Sequence, residues 1–298
     1  MMNIRELIKK GVETISVSFP EREAREMVLL YLEDVHAIKR LTHIMEPSTE
    51  VADEVAEASL SAFARMASGE PIQYIIGKAH FYGRQFNVSP SVLIPRPETE
   101  VLCREVINHH GRMRAVCPHP KVLDMCTGSG CIAWTLALEM PDAQVRAVDI
   151  SEGALAVAGS QDFDQEMAQT GAAAPDFIKA DVLGEVPADI ASWSYDILVS
   201  NPPYVMDSEK ALMRANVLEH EPHLALFVPD NDPLLFYRAV ARWASRLLTP
   251  GGYGIVEINE ALGQQTAEVF REAGFIGVEV VADLNDRDRF VKFMQKFV

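Results

Sequence analysis

The chain has 298 residues, of which 48% are hydrophobic, enough for one large domain and one small domain with a sizeable buried core. Its 27 Lys and Arg residues against 43 Asp and Glu residues give a net charge of -16, which repels a phosphate backbone and disfavours nucleic acid as the main ligand. The charged amino-terminal segment lacks the apolar core of a signal peptide, and no apolar run approaches membrane-spanning length, so we expect a cytoplasmic protein without membrane contact.

The first 68 residues have the periodicity of short amphipathic helices. Apolar residues recur at helical spacing, as at Ile4, Leu7 and Ile8, and Gly11 is predicted to interrupt or end a helix. Residues 1–72 are therefore predicted to form a bundle of four or five helices. We interpret it as a substrate-docking domain, with a stabilising cap as the simpler alternative.

Residues 73–95 are rich in β-branched and aromatic side chains split by glycines, which predicts a β-hairpin linker. Pro97, followed by acidic residues, predicts a helix that starts there and runs to about His109. A nearby group of histidines and a cysteine lacks metal-ligand spacing, so we interpret it as a solvated linker and expect no metal site. That group is His109, His110, Cys117 and His119.

From residue 96 to the end, predicted strands alternate with predicted helices. The strand-like segments lie at 122–124, 145–150, 177–181, 197–199 and 253–258, with two more at 278–281 and 290–293. Such alternation predicts a doubly wound, mostly parallel sheet, with the last two strands as an edge hairpin.

A glycine-containing loop follows the first of these strands. It is the run Asp124-Met125-Cys126-Thr127-Gly128-Ser129-Gly130. A glycine loop alone is weak evidence, because dehydrogenases have one as well. A carboxylate at Asp124, however, repels a pyrophosphate and suits a cationic amino-acid moiety, which favours S-adenosylmethionine over NAD.

Two further carboxylates end the second and third strands. Asp149, followed by Ile150, can accept both ribose hydroxyls, and Asp181 with Val182 can contact the amino group and the face of adenine. Each Asp alone can be an ordinary helix cap. Three at successive strand ends indicate a nucleoside cofactor.

The fourth strand is followed by Asn201-Pro202-Pro203-Tyr204. Two prolines cannot continue a central strand, so the backbone turns outward. An Asn oxygen, a proline-flanked carbonyl and a tyrosine ring together suit a planar NH2 group. We expect Asn201 Oδ1 and the Pro202 carbonyl to accept the two amide hydrogens next to the cofactor, Tyr204 to stack on the amide, and Pro203 to shape the turn.

Together these motifs resemble the HemK/PrmC family, the release factor glutamine methyltransferases within the class I methyltransferases. The resemblance spans nearly the whole chain and includes residues 69–74, 94–100, 124–130, 201–204, 219–222 and 283–289. It implies a class I methyltransferase α/β fold with a seven-stranded sheet, preceded by the all-α bundle and the hairpin. It also implies that the chain methylates the glutamine of the Gly-Gly-Gln loop of class I peptide release factors, its protein partners, and that residues 94–100 form a lid over S-adenosylmethionine.

One residue departs from the family pattern. Cys126 stands where the family usually has the first loop glycine, and this resembles sister enzymes that methylate a glutamine in a ribosomal protein. The runs at 94–100 and 283–289 look more like the release factor branch. A ribosomal-protein glutamine methyltransferase, a nucleic-acid amino methyltransferase and a non-catalytic module that binds an adenosyl ligand remain alternatives.

Overall fold

A computed structural model describes residues 2–283 and 286–297. The chain divides into two compact units: the first holds the residues up to Lys78 together with Arg214–His220, and the second holds Ala79–Met213 and the described residues from Glu221 onward. Of the run at 283–289, which contributes to the family resemblance, Leu284 and Asn285 lie outside the described residues.

Five short helices make up most of the first unit: α1 (Ile4–Ile15), α2 (Glu21–His36), α3 (Thr42–Met45), α4 (Asp53–Ala67) and α5 (Ile72–Ile76). Helix α1 begins at a capping box, in which the Asn3 side chain accepts the Glu6 N–H and the Glu6 carboxylate accepts the Asn3 N–H. The apolar faces of α1, α2 and α4 pack into one core around Leu7, Leu32 and Phe63.

Gly11 lies inside α1 and does not interrupt or end it, so that prediction was wrong. A Cβ at this position would lie 2.7 Å from Phe63 Cε2 and 2.8 Å from Val28 Cγ2. Glycine therefore serves here to let α1 approach α2 and α4 closely, and not to stop the helix.

We expect Gly11→Ala to lower the free energy of unfolding by about 1–3 kcal/mol, because overpacking outweighs the better helix propensity of alanine. The matched control is Gly111→Ala in helix α6 (Pro97–Met113), where an added Cβ meets nothing within 4 Å. That variant should be as stable as the parent or more stable by up to about 1 kcal/mol. Urea denaturation of the two variants tests the prediction, and equal stability of Gly11→Ala and the parent would contradict it.

The segment predicted as a hairpin linker holds both a helix and a hairpin. Its first residues, up to Ile76, continue α5, and the hairpin strands are Lys78–Phe81 and Arg84–Asn87. The two-residue connection Tyr82-Gly83 joins these strands, with φ of 50° and 74°. The predicted β-hairpin connector is present but begins later than residue 73.

The centre of the second unit is a seven-stranded sheet. In chain order its strands are β1 (Lys121–Met125), β2 (Gln144–Asp149), β3 (Asp176–Lys179), β4 (Tyr195–Ser200), β5 (Leu248–Glu257), β6 (Ile276–Ala282) and β7 (Asp288–Met294). They lie side by side in the order β3-β2-β1-β4-β5-β7-β6. The first five are parallel, and β7 is antiparallel to both neighbours. The predicted mostly parallel, seven-stranded α/β fold is confirmed.

The predicted edge hairpin is confirmed. Strands β6 and β7 pair antiparallel at one end of the sheet, with β7 next to β5 and β6 outermost. Phe290, Val291 and Phe293 of β7 are fully buried, which suits the inner strand of the hairpin.

Helices cover both faces of this sheet. After α6 the helices of this unit are α7 (Cys131–Glu139), α8 (Glu152–Gly159), α9 (Asp164–Thr170), α10 (Ala188–Ala191), α12 (Leu235–Leu247) and α13 (Gly263–Glu272), whereas α11 (Ala215–His220) belongs to the first unit. Successive strand residues alternate between two cores: Leu123 and Leu198 pack with α12 and α13, whereas Val122 and Ile197 pack with α6 and α7. The inner strands β1 and β4 therefore bury apolar side chains on both faces, as expected for a parallel sheet with two covered faces. In the described part of the chain, no helix is long and apolar enough to cross a membrane.

Helix α6 extends to Met113, beyond the predicted end near His109. The His109 ring stacks on Tyr253 with centroids 4.1 Å apart, and His110 is buried. The solvated-linker interpretation was wrong for these two residues, because both lie in helix α6, where His109 packs on Tyr253 of β5 and His110 is buried. Burial lowers the pKa of both imidazoles. No group of three or more His, Cys, Asp or Glu side chains within 2–283 and 286–297 is placed to hold a metal ion.

The sheet order brings two loops together. Strand β1 lies between β2 and β4, and Met125 is the register partner of Ser200. Ser200 Oγ also donates a 2.7 Å hydrogen bond to the Met125 carbonyl. The loop after β1 and the turn after β4 therefore leave the sheet side by side, at the switch point where open α/β sheets bind ligands.

Candidate active site

A cavity lies at the carboxyl ends of these strands, within the second unit. Ten of the predicted site residues line it: Cys126, Thr127, Gly128, Ser129, Asp149, Ile150, Asp181, Val182, Asn201 and Pro203. Four do not: Asp124, Gly130, Pro202 and Tyr204. The remaining wall comes from residues 91–96, from Thr99 and from the segment 222–225, among others.

The glycine loop after β1 has three residues with left-handed φ: Cys126 at 61°, Gly128 at 56° and Gly130 at 77°. A Cβ on Gly130 would lie 3.0 Å from Ala158 Cβ, so this glycine lets the start of α7 pack against α8. A Cβ on Gly128 would meet nothing within 4 Å and would enter open space. Because Gly128 lines the cavity, its bare backbone leaves room for a ligand there.

Cys126 holds a conformation that side chains with a Cβ rarely adopt. We expect Cys126→Gly to be more stable than Cys126→Ala by about 1 kcal/mol, because both lose the thiol but only glycine relieves the left-handed strain. Guanidinium unfolding of the two variants side by side measures the difference. An alanine variant as stable as the glycine variant would show that the loop is not strained at this position.

Asp124 lies directly behind the cavity wall and is fully buried. Its Oδ2 accepts a 2.6 Å hydrogen bond from the hydroxyl of Thr127. Its Oδ1 is buried without a hydrogen-bond partner among the described residues, although the nearby Ala133 amide helps to lower its pKa. Burial dominates and raises the pKa of Asp124 to about 7, against the opposing hydrogen bond from Thr127. A buried carboxylate that lacks a counter-charge suits a cationic ligand group.

Asp149 and Asp181 are placed differently. Asp149 Oδ2 accepts the Gly128 N–H and its Oδ1 accepts the Ser151 N–H, both at 2.9 Å. Burial raises the pKa of Asp149, and these backbone donors oppose the shift. Asp181 is exposed and its Oδ1 accepts the Leu183 N–H. Asp149 and Asp181 therefore each stabilise their own loop and also line the cavity. The structural role of each residue is compatible with the binding role predicted for it.

The turn after β4 is held by three residues that the sequence did not predict as site residues. Asn201 Nδ2 donates to Thr99 Oγ1 over 3.3 Å, and the Thr99 hydroxyl donates to Glu257 Oε2 over 2.7 Å. The Tyr204 hydroxyl donates to the other oxygen, Glu257 Oε1, over 3.0 Å. Asn259 Nδ2 donates to the Tyr204 carbonyl. Glu257 could have been found from the sequence, because it is a charged residue at the end of the apolar strand β5. Asp124 near the end of β1 is a signal of the same kind.

A buried ion pair closes another side of the cavity. Glu221 is 4% exposed and accepts hydrogen bonds from the guanidinium of Arg96 and from the Ile94 N–H. This pair joins two runs that the family resemblance includes, 94–100 and 219–222. Since Arg96 and Pro222 both line the cavity, the pair fixes that part of its wall.

Two known families match the chain. The Methyltransferase small domain matches residues 105–225, and the PrmC N-terminal domain matches residues 6–77. The release factor glutamine methyltransferase of Flavobacterium psychrophilum is 36% identical over 291 residues, covering 98% of this chain and 99% of the relative. That of Bacteroides thetaiotaomicron is 39% identical over 292 residues, covering 98% and 99%. The chain belongs to the release factor glutamine methyltransferase family.

Membership of this family confirms the HemK/PrmC resemblance inferred from the motifs. A solved structure of protein-(glutamine-N5) methyltransferase (release factor-specific) from Alicyclobacillus acidocaldarius is 30% identical, covers 71% of this chain and 99% of that chain, and has a TM-score of 0.40. The assignment rests on the relatives that match along nearly the full length.

Proposed function

We propose that this protein methylates the side-chain amide nitrogen of a glutamine in a peptide chain release factor. The relatives that match the chain along its length carry that activity in their name, which supports the substrate class. The family resemblance supports the Gly-Gly-Gln loop of class I release factors as the target. The observation that carries the chemistry is Asn201, which lines the cavity with its Nδ2 already bound to Thr99 and so offers Oδ1 to a ligand.

S-adenosylmethionine is the methyl donor, and the cavity fits it on three observations. The open space above Gly128 admits a ligand close to the backbone. The buried carboxylate of Asp124, behind the cavity wall and without a counter-charge, suits the ammonium group of the amino-acid moiety, which it would reach through water. The cavity-lining carboxylates of Asp149 and Asp181 suit the ribose hydroxyls and the adenine amino group.

When bound, S-adenosylmethionine supplies a sulfonium methyl carbon that is already electrophilic. The difficulty lies with the acceptor, because the lone pair of an amide nitrogen is delocalised into its carbonyl. Asn201 Oδ1 and the Pro202 carbonyl accept the two amide hydrogens. They thereby align the nitrogen with the methyl carbon and stabilise the positive charge that develops on it.

Pro202 and Tyr204 contribute to the site in different ways. Pro202 is buried and does not line the cavity, but no backbone donor among the described residues reaches its carbonyl, which leaves that oxygen available. Burial raises the pKa of Tyr204 well above its usual value, so the phenol stays protonated and keeps its bond to Glu257. The ring is thereby held in place, and we propose that it stacks on the glutamine amide.

No general base is required before the attack. The nitrogen would take the methyl group as the sulfur–carbon bond breaks, and S-adenosylhomocysteine would leave as a neutral thioether. The resulting N-alkylated amide cation would be strongly acidic and would lose its proton to water. The site accordingly needs acceptors in fixed positions and not a side chain that takes a proton in the transition state.

The decisive experiment incubates the protein with isotopically labelled S-adenosylmethionine and a class I release factor. Mass spectrometry then locates the methyl group. We expect it on the glutamine of the Gly-Gly-Gln loop, and we expect no label when that glutamine is replaced by alanine. Label found instead on a ribosomal-protein glutamine or on a base of transfer RNA or duplex DNA would establish the corresponding alternative and reject this proposal.

We also propose that the release factor binds as a protein substrate and that the protein forms no stable complex with nucleic acid. The net charge of -16 opposes a stable complex with nucleic acid. A cytoplasmic location, the absence of membrane contact and a docking role for residues 1–72 stay predictions.

A further inference from the structure

We propose that Glu257 is a positioning residue that determines which end of the Asn201 amide faces the substrate. It acts through Thr99, and it fixes Tyr204 with its second oxygen. The inference rests on the proposed function, because it concerns how the substrate amide is received.

The connection is a chain of three side chains from different parts of the sequence. Glu257 ends β5 and is 1% exposed, so it does not line the cavity. Thr99 is in the first turn of α6 and is 2% exposed. Asn201 follows β4 and lines the cavity. The bonds run from Asn201 Nδ2 to Thr99 Oγ1 and from the Thr99 hydroxyl to Glu257 Oε2.

The direction of these bonds follows from the donors that each group has. A carboxylate has only acceptors, so the single proton of Thr99 is committed to Glu257. The Thr99 oxygen can then only accept, and the end of the Asn201 amide that meets it must be the NH2 group. The opposite end, Oδ1, faces away from Thr99.

This orientation decides whether the site can bind an amide nitrogen. A glutamine NH2 group brings two hydrogens and needs acceptors. Presented the other way round, Asn201 would offer two hydrogens of its own and repel the substrate. A rotation of the amide by half a turn costs little by itself, because the terminal torsion of Asn is soft. The Asn201 side chain cannot fix its own orientation, so the Glu257 carboxylate fixes it through Thr99.

The second oxygen of Glu257 holds the other end of the same turn. Oε1 accepts the hydroxyl proton of Tyr204 over 3.0 Å. One carboxylate thus fixes both functional side chains of the turn at 201–204. The charge of Arg289 lies near enough to favour the ionised form of Glu257, although burial still raises the pKa of this carboxyl.

Replacement of Thr99 tests the first link. We expect Thr99→Val to lower kcat about tenfold or more, with the KM for the release factor and the Kd for S-adenosylmethionine within about twofold of the parent, because only the orientation of the nitrogen is lost. Thr99→Ser keeps the hydroxyl and should restore kcat to within about threefold. The matched control is Thr266→Val, since Thr266 is also fully buried but its hydroxyl has no hydrogen-bond partner among the described residues. An unchanged kcat in Thr99→Val, or a serine variant no better than valine, would overturn the proposal.

Replacement of Glu257 tests the polarity itself. In Glu257→Gln the new amide can turn its NH2 group to Thr99 or to Tyr204, because either hydroxyl can accept a hydrogen bond. When the NH2 group faces Thr99, the Thr99 proton is free to bind Asn201 Oδ1, and the orientation of the Asn201 amide is no longer fixed. We expect kcat to fall about tenfold or more, as in Thr99→Val, because the unproductive orientation of Asn201 becomes populated. A glutamine variant with parental kcat would overturn the proposal.

A readout without substrate separates this inference from the proposed function. In protein labelled with 15N on asparagine, the Asn201 side-chain signal is assigned by its loss in Asn201→Ala. We expect hydrogen exchange of this NH2 group to be slow in the parent and in Thr99→Ser, and fast in Thr99→Val. Equal exchange in all three would overturn the positioning role. Slow exchange in the parent with no methylated release factor would instead reject the proposed function alone.

Discussion

Replacing Asn201 by alanine is expected to slow methyl transfer on the order of 100-fold or more, by the usual effect of one lost transition-state hydrogen bond. The side chain lines the cavity and presents Oδ1, so its loss removes an acceptor that binds more strongly as positive charge develops on the nitrogen. Single-turnover kinetics with saturating S-adenosylmethionine and release factor measure this step directly. The affinity for S-adenosylmethionine should change far less than the rate.

The matched control is Asn231→Ala, which truncates an exposed asparagine. It should leave both the rate and the unfolding midpoint unchanged. If Asn201→Ala folded normally and turned over at a near-parental rate, Asn201 would not be the acceptor, and the mechanism would lose its main element.

The second large effect is expected for Asp124→Asn, which should raise the free energy of unfolding but weaken the binding of S-adenosylmethionine. Burial raises the pKa of Asp124 to about 7 in the folded protein, against about 3.9 for an unperturbed Asp. At pH 8 the carboxylate is charged in both states but lies in an unfavourable place when folded. We expect Asp124→Asn to raise the free energy of unfolding at pH 8 by about 1–3 kcal/mol. That is less than the full shift implies, because the new NH2 group must also be accommodated.

The pH dependence of this gain has a defined sign. Between the unfolded and the folded pKa, the folded state binds more protons, so the parent loses stability as the pH rises from about 4 to 7. The advantage of the asparagine variant should therefore be present above pH 7 and fade as the pH falls toward 4. Urea denaturation at a series of pH values measures it.

Binding of S-adenosylmethionine should follow the opposite course. If the ionised carboxylate receives the ammonium group, the affinity of the parent should rise about tenfold between pH 6 and pH 8, through the pKa near 7. Asp124→Asn should bind about tenfold more weakly at pH 8 and show little dependence on pH. Calorimetric titrations at the two pH values decide the matter. A parental pH dependence in the asparagine variant would exclude Asp124 as its source.

The parts of the fold that the sequence predicted well are those with a local cause. Strands β1, β2, β4 and β5 are apolar runs, and the loop after β1 and the turn after β4 carry glycine or proline where the backbone must turn. Because the carboxyl ends of parallel strands meet at one edge, residues far apart in sequence were predicted to share a site. Ten of them do line one cavity.

The parts that sequence reasoning missed depend on contacts across the fold. Thr99 looked like an ordinary residue of a helix start, and Glu257 like the end of a strand, because their link to Asn201 spans residues 99, 201 and 257. His109 looked solvated because its partner Tyr253 lies in another element. Local composition predicts a helix break at Gly11, whereas the close approach of Phe63 explains why glycine stands there. In each case the cause lies in a tertiary neighbour that local composition does not reveal.

The two hydrogen bonds that Glu257 accepts, from Thr99 and from Tyr204, have a consequence for protein engineering. Residues 201–204 do not hold their own side chains in place. Tyr204 is bound directly to Glu257 at the end of β5, and Asn201 is bound to Glu257 through Thr99. If only these four residues were grafted onto another parallel sheet, neither the orientation of the Asn201 amide nor the position of the Tyr204 ring would be fixed. Transplanting the activity would also require the start of α6 and the last residue of β5.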